Sequence, residues 1–263
     1  MYNGILANAS GYDGSQNGTM NPLLIVKLGS TFPGFAQSHG DFEDWIAQRT
    51  GLDGEQVAVT SPREAALPDP APFSGIILTG SHSMVTDRQA WSEQTARWIP
   101  TVIEKRTPLL GICYGHQLIA DALGGEVGPN PRGREFGTVE IAKRDAADSD
   151  PLFADLPGRF YAHVCHTQSV LQLPPGAIWL ASSRLDPHHA YRVGETTWCV
   201  QFHPEFDATS TATYIDECAD VLRAQGDDPC QLRATVTNTP WSESLLRRFV
   251  LFADHQRRVD QVP

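Results

Sequence analysis

The chain has 263 residues, 41% of them apolar and 19% charged, and acids outnumber bases 31 to 20 for a formal net charge of −11. That length allows a sizeable core, and an acidic chain without a Lys/Arg run lacks the electrostatic footprint for nucleic acid or an anionic membrane. The apolar stretches are a few residues long, against the roughly 20 that a bilayer span needs, and no basic start leads into an apolar run as a secretory signal would.

Residues 1–19 are rich in Gly, Asn and Ser and carry no period, so 1–20 reads as a leader or tail and 21–263 as one folded domain. From there apolar strands alternate with helical segments. LLIVKLG (23–29) reads as a buried strand, 40–50 as a helix, VAVT (57–60) as a strand, and the Pro-rich 62–72 as a loop. FSGIILTG (73–80) is a strand, 91–106 an amphipathic helix with Pro100 as a kink point, PLLGIC (108–113) a strand, and 115–125 a helix stopped by two glycines. The second half is different. Short strands are expected at 138–144, 159–166, 177–183, 189–194 and 197–203, with a hairpin at Gly194-Glu195, then helices at about 208–225 and 242–255. The fold class is therefore α/β: a mostly parallel sheet with helices on both faces (flavodoxin-like) and a small antiparallel region in the second half.

Five cysteines, an odd number without CxxC or Cys/His ligand spacing, argue against a disulfide framework or a metal cluster and fit a reducing cytoplasm. One has a distinctive setting. In PLLGICYGHQ, Cys113 sits where a strand runs directly into a helix, with Gly111 two residues before and Gly115 two after. A turn that tight needs small neighbours, and a helix starting behind the sulfur aims N–H groups at it, which favours thiolate and an adjacent oxyanion. A cysteine after an apolar strand is also an ordinary core residue, and G-x-C-x-G alone leaves the two readings level. Cys165, Cys199, Cys218 and Cys230 lack this setting and read as core or incidental.

A thiol nucleophile needs a base, and the base an orienting group. Among nine histidines, His203 ends the apolar strand TWCVQFH and is followed by Pro204 and Glu205. In an extended segment, i and i+2 share a side, so Glu205 can hold the His203 imidazole. Parallel strands would open both ends on one sheet edge, where α/β sites form. An isolated His-Pro-Glu is more often a turn with a surface ion pair; its pairing with the cysteine elbow is what carries weight.

GICYGHQ followed by QFHPEF 90 residues later resembles the class I glutamine amidotransferases, over about 23–225 and closest to the stand-alone branch related to the amidotransferase domain of GMP synthetase. The resemblance implies that Cys113 attacks the glutamine side-chain amide to give a γ-glutamyl thioester and ammonia, that His203 shuttles the proton, and that Glu205 orients it. It implies an oxyanion hole at Gly80, Ser81 and Tyr114, and substrate contacts at Gln117, His166, Thr167, Gln168 and Ser169, largely through backbone; His163 and His166 read equally well as structural hydrogen-bonding residues. Gly80-Ser81-His82 departs from the Gly-Gly-Pro loop of many members with a dedicated synthase, and no P-loop or pyrophosphatase-like loop follows. The expected substrate is glutamine or another γ-glutamyl compound, with no cofactor or metal, no nucleic acid and no membrane. Three functions stay open: an amidotransferase delivering ammonia to a separate synthase, a γ-glutamyl peptidase or hydrolase, and a non-catalytic regulatory protein on the same fold.

Overall fold

The computed structural model describes residues 7–8 and 21–260. Five short strands build the parallel half: β1 (Ala7–Asn8), β2 (Leu23–Val26), β3 (Val57–Thr60), β4 (Gly75–Leu78) and β5 (Leu109–Ile112). The second half adds β6 (Glu126–Pro129), β7 (Glu135–Lys143), β8 (Arg159–His166), β9 (Gln168–Gln172), β10 (Ile178–Ser182), β11 (Ala190–Val193) and β12 (Thr197–Val200). The helices are α1 (Pro33–His39), α2 (Phe42–Thr50), α3 (Ala90–Glu104), α4 (Tyr114–Ala122), α5 (Ala208–Glu217), α6 (Ala219–Ala224), α7 (Pro229–Ala234) and α8 (Pro240–Asp260). Among these residues no helix is long and apolar enough to cross a membrane.

Ten strands form one sheet in the order β1-β3-β2-β4-β5-β12-β11-β10-β7-β8, and β6 and β9 form a separate antiparallel ribbon. Pairing is parallel from β1 through β12 and antiparallel beyond it. The mostly parallel sheet and the antiparallel second half are thus as expected, and β11 and β12 form the hairpin at Gly194. The ribbon, α1 and α7 were not anticipated, and the expected helix over 208–225 is two helices that meet at Cys218. The leader lies outside the described residues except Ala7–Asn8, which pair with Ala58 and Val59 at the sheet edge.

Why both faces are covered follows from the alternation of side chains along each strand. Leu23, Ile25, Ile77, Leu110, Ile112, Trp198 and Val200 point to one face, where Leu245, Leu246 and Phe249 of α8 complete a buried layer. Leu24, Val26, Ile76, Leu78, Leu109 and Cys199 point to the other, against Ile99 and Val102 of α3 and Leu118 and Ile119 of α4. The strands therefore read as continuous apolar runs, because neither side meets water.

At the β5–α4 junction the chain passes so close to its neighbours that side chains are excluded. A Cβ on Gly111 would lie 2.6 Å from Ile119 Cδ1 and 2.7 Å from the Gly115 backbone; one on Gly115 would lie 2.7 Å from Leu78 O. Gly115→Ala is expected to lower stability by about 1–3 kcal/mol through overpacking. Gly158→Ala, where a Cβ meets nothing within 4 Å, should stay within about 0.5 kcal/mol of wild type. Urea midpoints of the two variants provide the comparison.

Candidate active site

The pairing of β5 with β12 sets Ile112 opposite Val200, and the Cys113 N–H then donates to Val200 O at 2.9 Å. Both chains leave the sheet here, on the same edge. Cys113 takes φ 50° and ψ −97°, an unusual conformation for a non-glycine residue, and α4 begins at the next residue. Such a backbone costs on the order of 1–3 kcal/mol and persists where the surroundings over-determine it. Here the strand before it, the helix after it and the two crowded glycines do so. The first-turn N–H groups of α4, Tyr114's among them, have no intrahelical partner and point toward the elbow.

His203 is held from several sides. Its N–H donates to His163 O at 2.9 Å, its Nδ1 lies 2.7 Å from Glu205 Oε1, and Phe206 stacks on the ring with centroids 4.2 Å apart. The Cys113 side chain lies near the ring, since a Cβ placed on Gly80 would stand 3.0 Å from His203 Cε1 and 3.8 Å from Cys113 Cβ, while Cys113 Sγ is 3.9 Å from Cys165 O. Burial opposes a charged imidazole, but the Glu205 and Cys113 charges and the hydrogen bond to Glu205 outweigh it and push the His203 pKa up to about 10. Glu205 is itself buried, and its carbonyl accepts from Arg49 Nε at 3.0 Å. One detail differs from the expectation. The strand ends at Val200 rather than His203, and residues 203–206 form a turn closed by Phe206 N–H to His203 O, 3.3 Å. Glu205 thus reaches the imidazole across a turn and not along an extended segment.

The loop after β4 closes the third side. Thr79 Oγ1 accepts from Leu28 N–H and donates to Gly80 O, both at 2.9 Å, which fixes the peptide that follows. A Cβ on Gly80 would stand 3.0 Å from His203 Cε1 and 3.8 Å from Cys113 Cβ, so only glycine lets this backbone approach both.

A cleft of about 220 Å³ opens at the elbow. Of the residues expected to contact substrate or an oxyanion, Ser81, Tyr114, Gln117, His166, Thr167 and Gln168 line it together with Cys113. Ser169 does not; it is buried on β9 opposite Gly128. The side chains are mostly committed elsewhere. Tyr114 OH donates to Ser92 Oγ at 2.7 Å, and Gln117 Nε2 donates to Gln168 O and to Gln201 Oε1, both at 2.9 Å. Gln168 Nε2 donates to Thr86 Oγ1, and His166 is held between Gln168 O and Glu135. His166 and His163 therefore have the structural hydrogen bonds that were one of their two readings; His163 Nδ1 pairs with Thr138 Oγ1.

Two further residues of the cleft, Phe32 and Tyr214, had no signal in the sequence. They come from distant segments, and His82 Nε2 meets Tyr214 OH at 3.0 Å, which in turn meets Thr31 Oγ1. Desolvation of the His82 ring and the nearby His203 charge both lower its pKa. Cys165 and Cys218 also border the cleft, and burial raises both thiols. Chemically, the elbow offers a sulfur beside a carboxylate-oriented imidazole, with backbone N–H groups to receive a developing negative charge.

Comparison with known proteins identifies the family. Residues 38–220 match the family model for glutamine amidotransferase class-I. A glutamine-hydrolysing GMP synthase of Thermosipho africanus is 31% identical over 200 residues, covering 75% of this chain; the chain spans only 35% of that synthase's length. Gamma-glutamyl peptidase 4 of Arabidopsis thaliana is 27% identical over 185 residues, 68% of this chain and 74% of the peptidase. A glutamine amidotransferase of Thermotoga maritima superposes with a TM-score of 0.68 at 21% identity, covering 89% of this chain and 97% of its own, a likeness of fold.

The raised His203 pKa has a consequence for folding. Its stabilising contribution is fully present below the unfolded value near 6.5 and is lost as pH rises through about 10. Denaturant unfolding between pH 6.5 and 10 should therefore show wild type losing stability relative to His203→Gln as pH rises. A gap between the two proteins that is independent of pH would contradict this assignment of charge.

Proposed function

We propose that this chain, which belongs to the class-I glutamine amidotransferase family, hydrolyses the γ-amide of glutamine through a covalent intermediate on Cys113. The observation that carries the reading is the His203–Glu205 pair, 2.7 Å apart, which stands with Gly80 beside a cysteine at a strained strand–helix elbow.

The steps follow from that geometry. Cys113 Sγ attacks the amide carbon and the carbonyl π electrons move to oxygen. That oxyanion is received by backbone N–H groups of the Gly80-Ser81 loop and of Tyr114. The tetrahedral adduct collapses by breaking the C–N bond, and His203 gives the departing nitrogen the proton it took from the thiol, releasing ammonia and leaving a γ-glutamyl thioester. In the second half, His203 removes a proton from water, the hydroxide oxygen attacks the thioester carbon, and the C–S bond breaks to give glutamate and the free thiol. Glu205 keeps the Nδ1 proton in place and offsets the imidazolium charge, as the carboxylate of a triad does. The turn at 166–168 supplies backbone to the substrate's α-amino and α-carboxylate groups. The ammonia passes to a separate acceptor enzyme in this reading, which the relatedness to glutamine-hydrolysing GMP synthases supports.

A second reading, hydrolysis of a γ-glutamyl conjugate other than glutamine, is favoured by the likeness to a gamma-glutamyl peptidase along 74% of that protein's length. Both use the same thioester and differ in the leaving amine.

Cys113→Ala is expected to abolish γ-glutamyl hydrolysis, and wild-type-like turnover would remove the nucleophile. His203→Ala should lower kcat by about 10³-fold or more, with a smaller loss in Glu205→Gln because the base remains. A glutamine-like diazo-ketone should label Cys113 before the exposed Cys230, as peptide mapping would reveal. Parallel assays of ammonia release from glutamine and amine release from γ-glutamyl peptides decide between the two readings by the ratio of kcat/KM.

A further inference from the structure

Behind the cleft, three segments with no sequence proximity bring ligand-type side chains to one point. Glu135 opens β7, His166 closes β8 and His189 immediately precedes β11. All three are buried, with 4%, 5% and 0% of their surface exposed. His166 Nε2 and His189 Nε2 each lie 3.2 Å from the same oxygen, Glu135 Oε2, and the three atoms are mutually within 4.8 Å. The imidazole rings stand 80° apart with centroids at 5.7 Å.

Hydrogen-bond accounting makes this cluster unusual. His166 Nδ1 lies 2.9 Å from Gln168 O, an acceptor only, so Nδ1 carries a proton. The neutral ring then presents a bare Nε2 lone pair to a carboxylate oxygen, and something positive must sit between them, either a second proton or a cation. The contact lengths fit either case, being at the long end of the N–H···O hydrogen-bond range and close to the spacing of two ligands on one ion. The imidazole–carboxylate pair His203–Glu205 of this same protein is 2.7 Å long, in the range of a charge-assisted hydrogen bond, whereas both contacts to Glu135 are 3.2 Å. Two ligands of one tetrahedral zinc, with bonds of about 2.0–2.1 Å, stand roughly 3.3 Å apart.

We propose that Glu135, His166 and His189 form a binding site for a first-row divalent cation, with zinc as the fitting ion. Two imidazoles and one carboxylate are a recognised zinc ligand set that leaves a fourth position for water. Outer partners are present for two of the three ligands, whereas the buried Nδ1 of His189 has no hydrogen-bond partner among the described residues. His166 is oriented by the Gln168 carbonyl, and Ser183 Oγ donates to Glu135 Oε1 at 2.7 Å and Oε2 at 2.8 Å. An entry path exists as well. Glu135 and Ser183 line a second cleft, about 680 Å³, which has Phe136 in common with the elbow cleft. The ion would anchor His166, and through the Gln168 carbonyl that Gln117 also binds, the turn that walls the elbow cleft. Its role is to position that turn; it takes no part in the thioester steps.

The test uses the full chain stripped of metal by dialysis against a chelator and then titrated with Co²⁺ and Zn²⁺. Wild type should bind about one equivalent, give visible d–d bands of a nitrogen/oxygen cobalt site without a sulfur charge-transfer band, and melt at a higher temperature with zinc. His189→Ala and Glu135→Gln should each weaken cobalt affinity by about 10- to 100-fold or more. Should either variant misfold by circular dichroism, the wild-type titration alone decides. Uptake well below one equivalent, a thiolate-to-cobalt band, or variants that fold and bind as wild type would each overturn the proposal and leave a proton between His166 and Glu135.

Discussion

The parallel register between β5 and β12 is the constraint on which the rest depends. It sets Ile112 beside Val200 and lets the Cys113 N–H close the last rung of the ladder. A shift by one residue would move every side chain of β12 to the other face of a sheet that is buried on both, so the apolar core itself enforces the register. The geometry of the candidate site is thereby derived from packing. The sulfur and the imidazole come from segments 90 residues apart, yet their backbones diverge from two paired strands at the same level of one edge.

Strain at the elbow is the counterpart of that order. Cys113 holds a left-handed φ of 50° because β5 arrives buried, α4 departs at once, and the glycines on either side leave no room for another path. A cost of a few kcal/mol at one residue is small against the apolar layers made by α8 on one face and α3 and α4 on the other. The same crowding fixes the loop after β4, where Gly80 lies against both His203 and Cys113.

Electrostatics at the site are decided by partners, since burial is common to all. His116 and His163 are buried with no carboxylate hydrogen-bonded to the ring; burial dominates, with the His116 pKa well below its ordinary value and that of His163 lowered to about 4 despite the Asp207 charge that raises it. His203 is as deeply buried, and its pKa rises because Glu205 and Cys113 stand against it. A site made of identical residue types in different company thus holds some imidazoles neutral and one charged.

Much of this was legible in the chain itself. The strands at 57–60 and 159–166 were read with their observed limits, because apolar runs bounded by turn residues carry their own period. Gly111, Cys113 and Gly115 fitted an elbow or an ordinary core cysteine equally well, and it was their pairing with His203 and the nearly adjacent Glu205 that favoured the elbow. What the tertiary structure alone decided is everything that depends on strand order. Examples are the β6–β9 ribbon that removes Ser169 from the cleft, the arrival of Phe32 and Tyr214 at its wall, and the meeting of Glu135, His166 and His189. Local sequence encodes local conformation through short-range sterics and periodicity. Contacts between distant segments are set by how whole strands and helices bury their faces together, and no window of sequence contains that information.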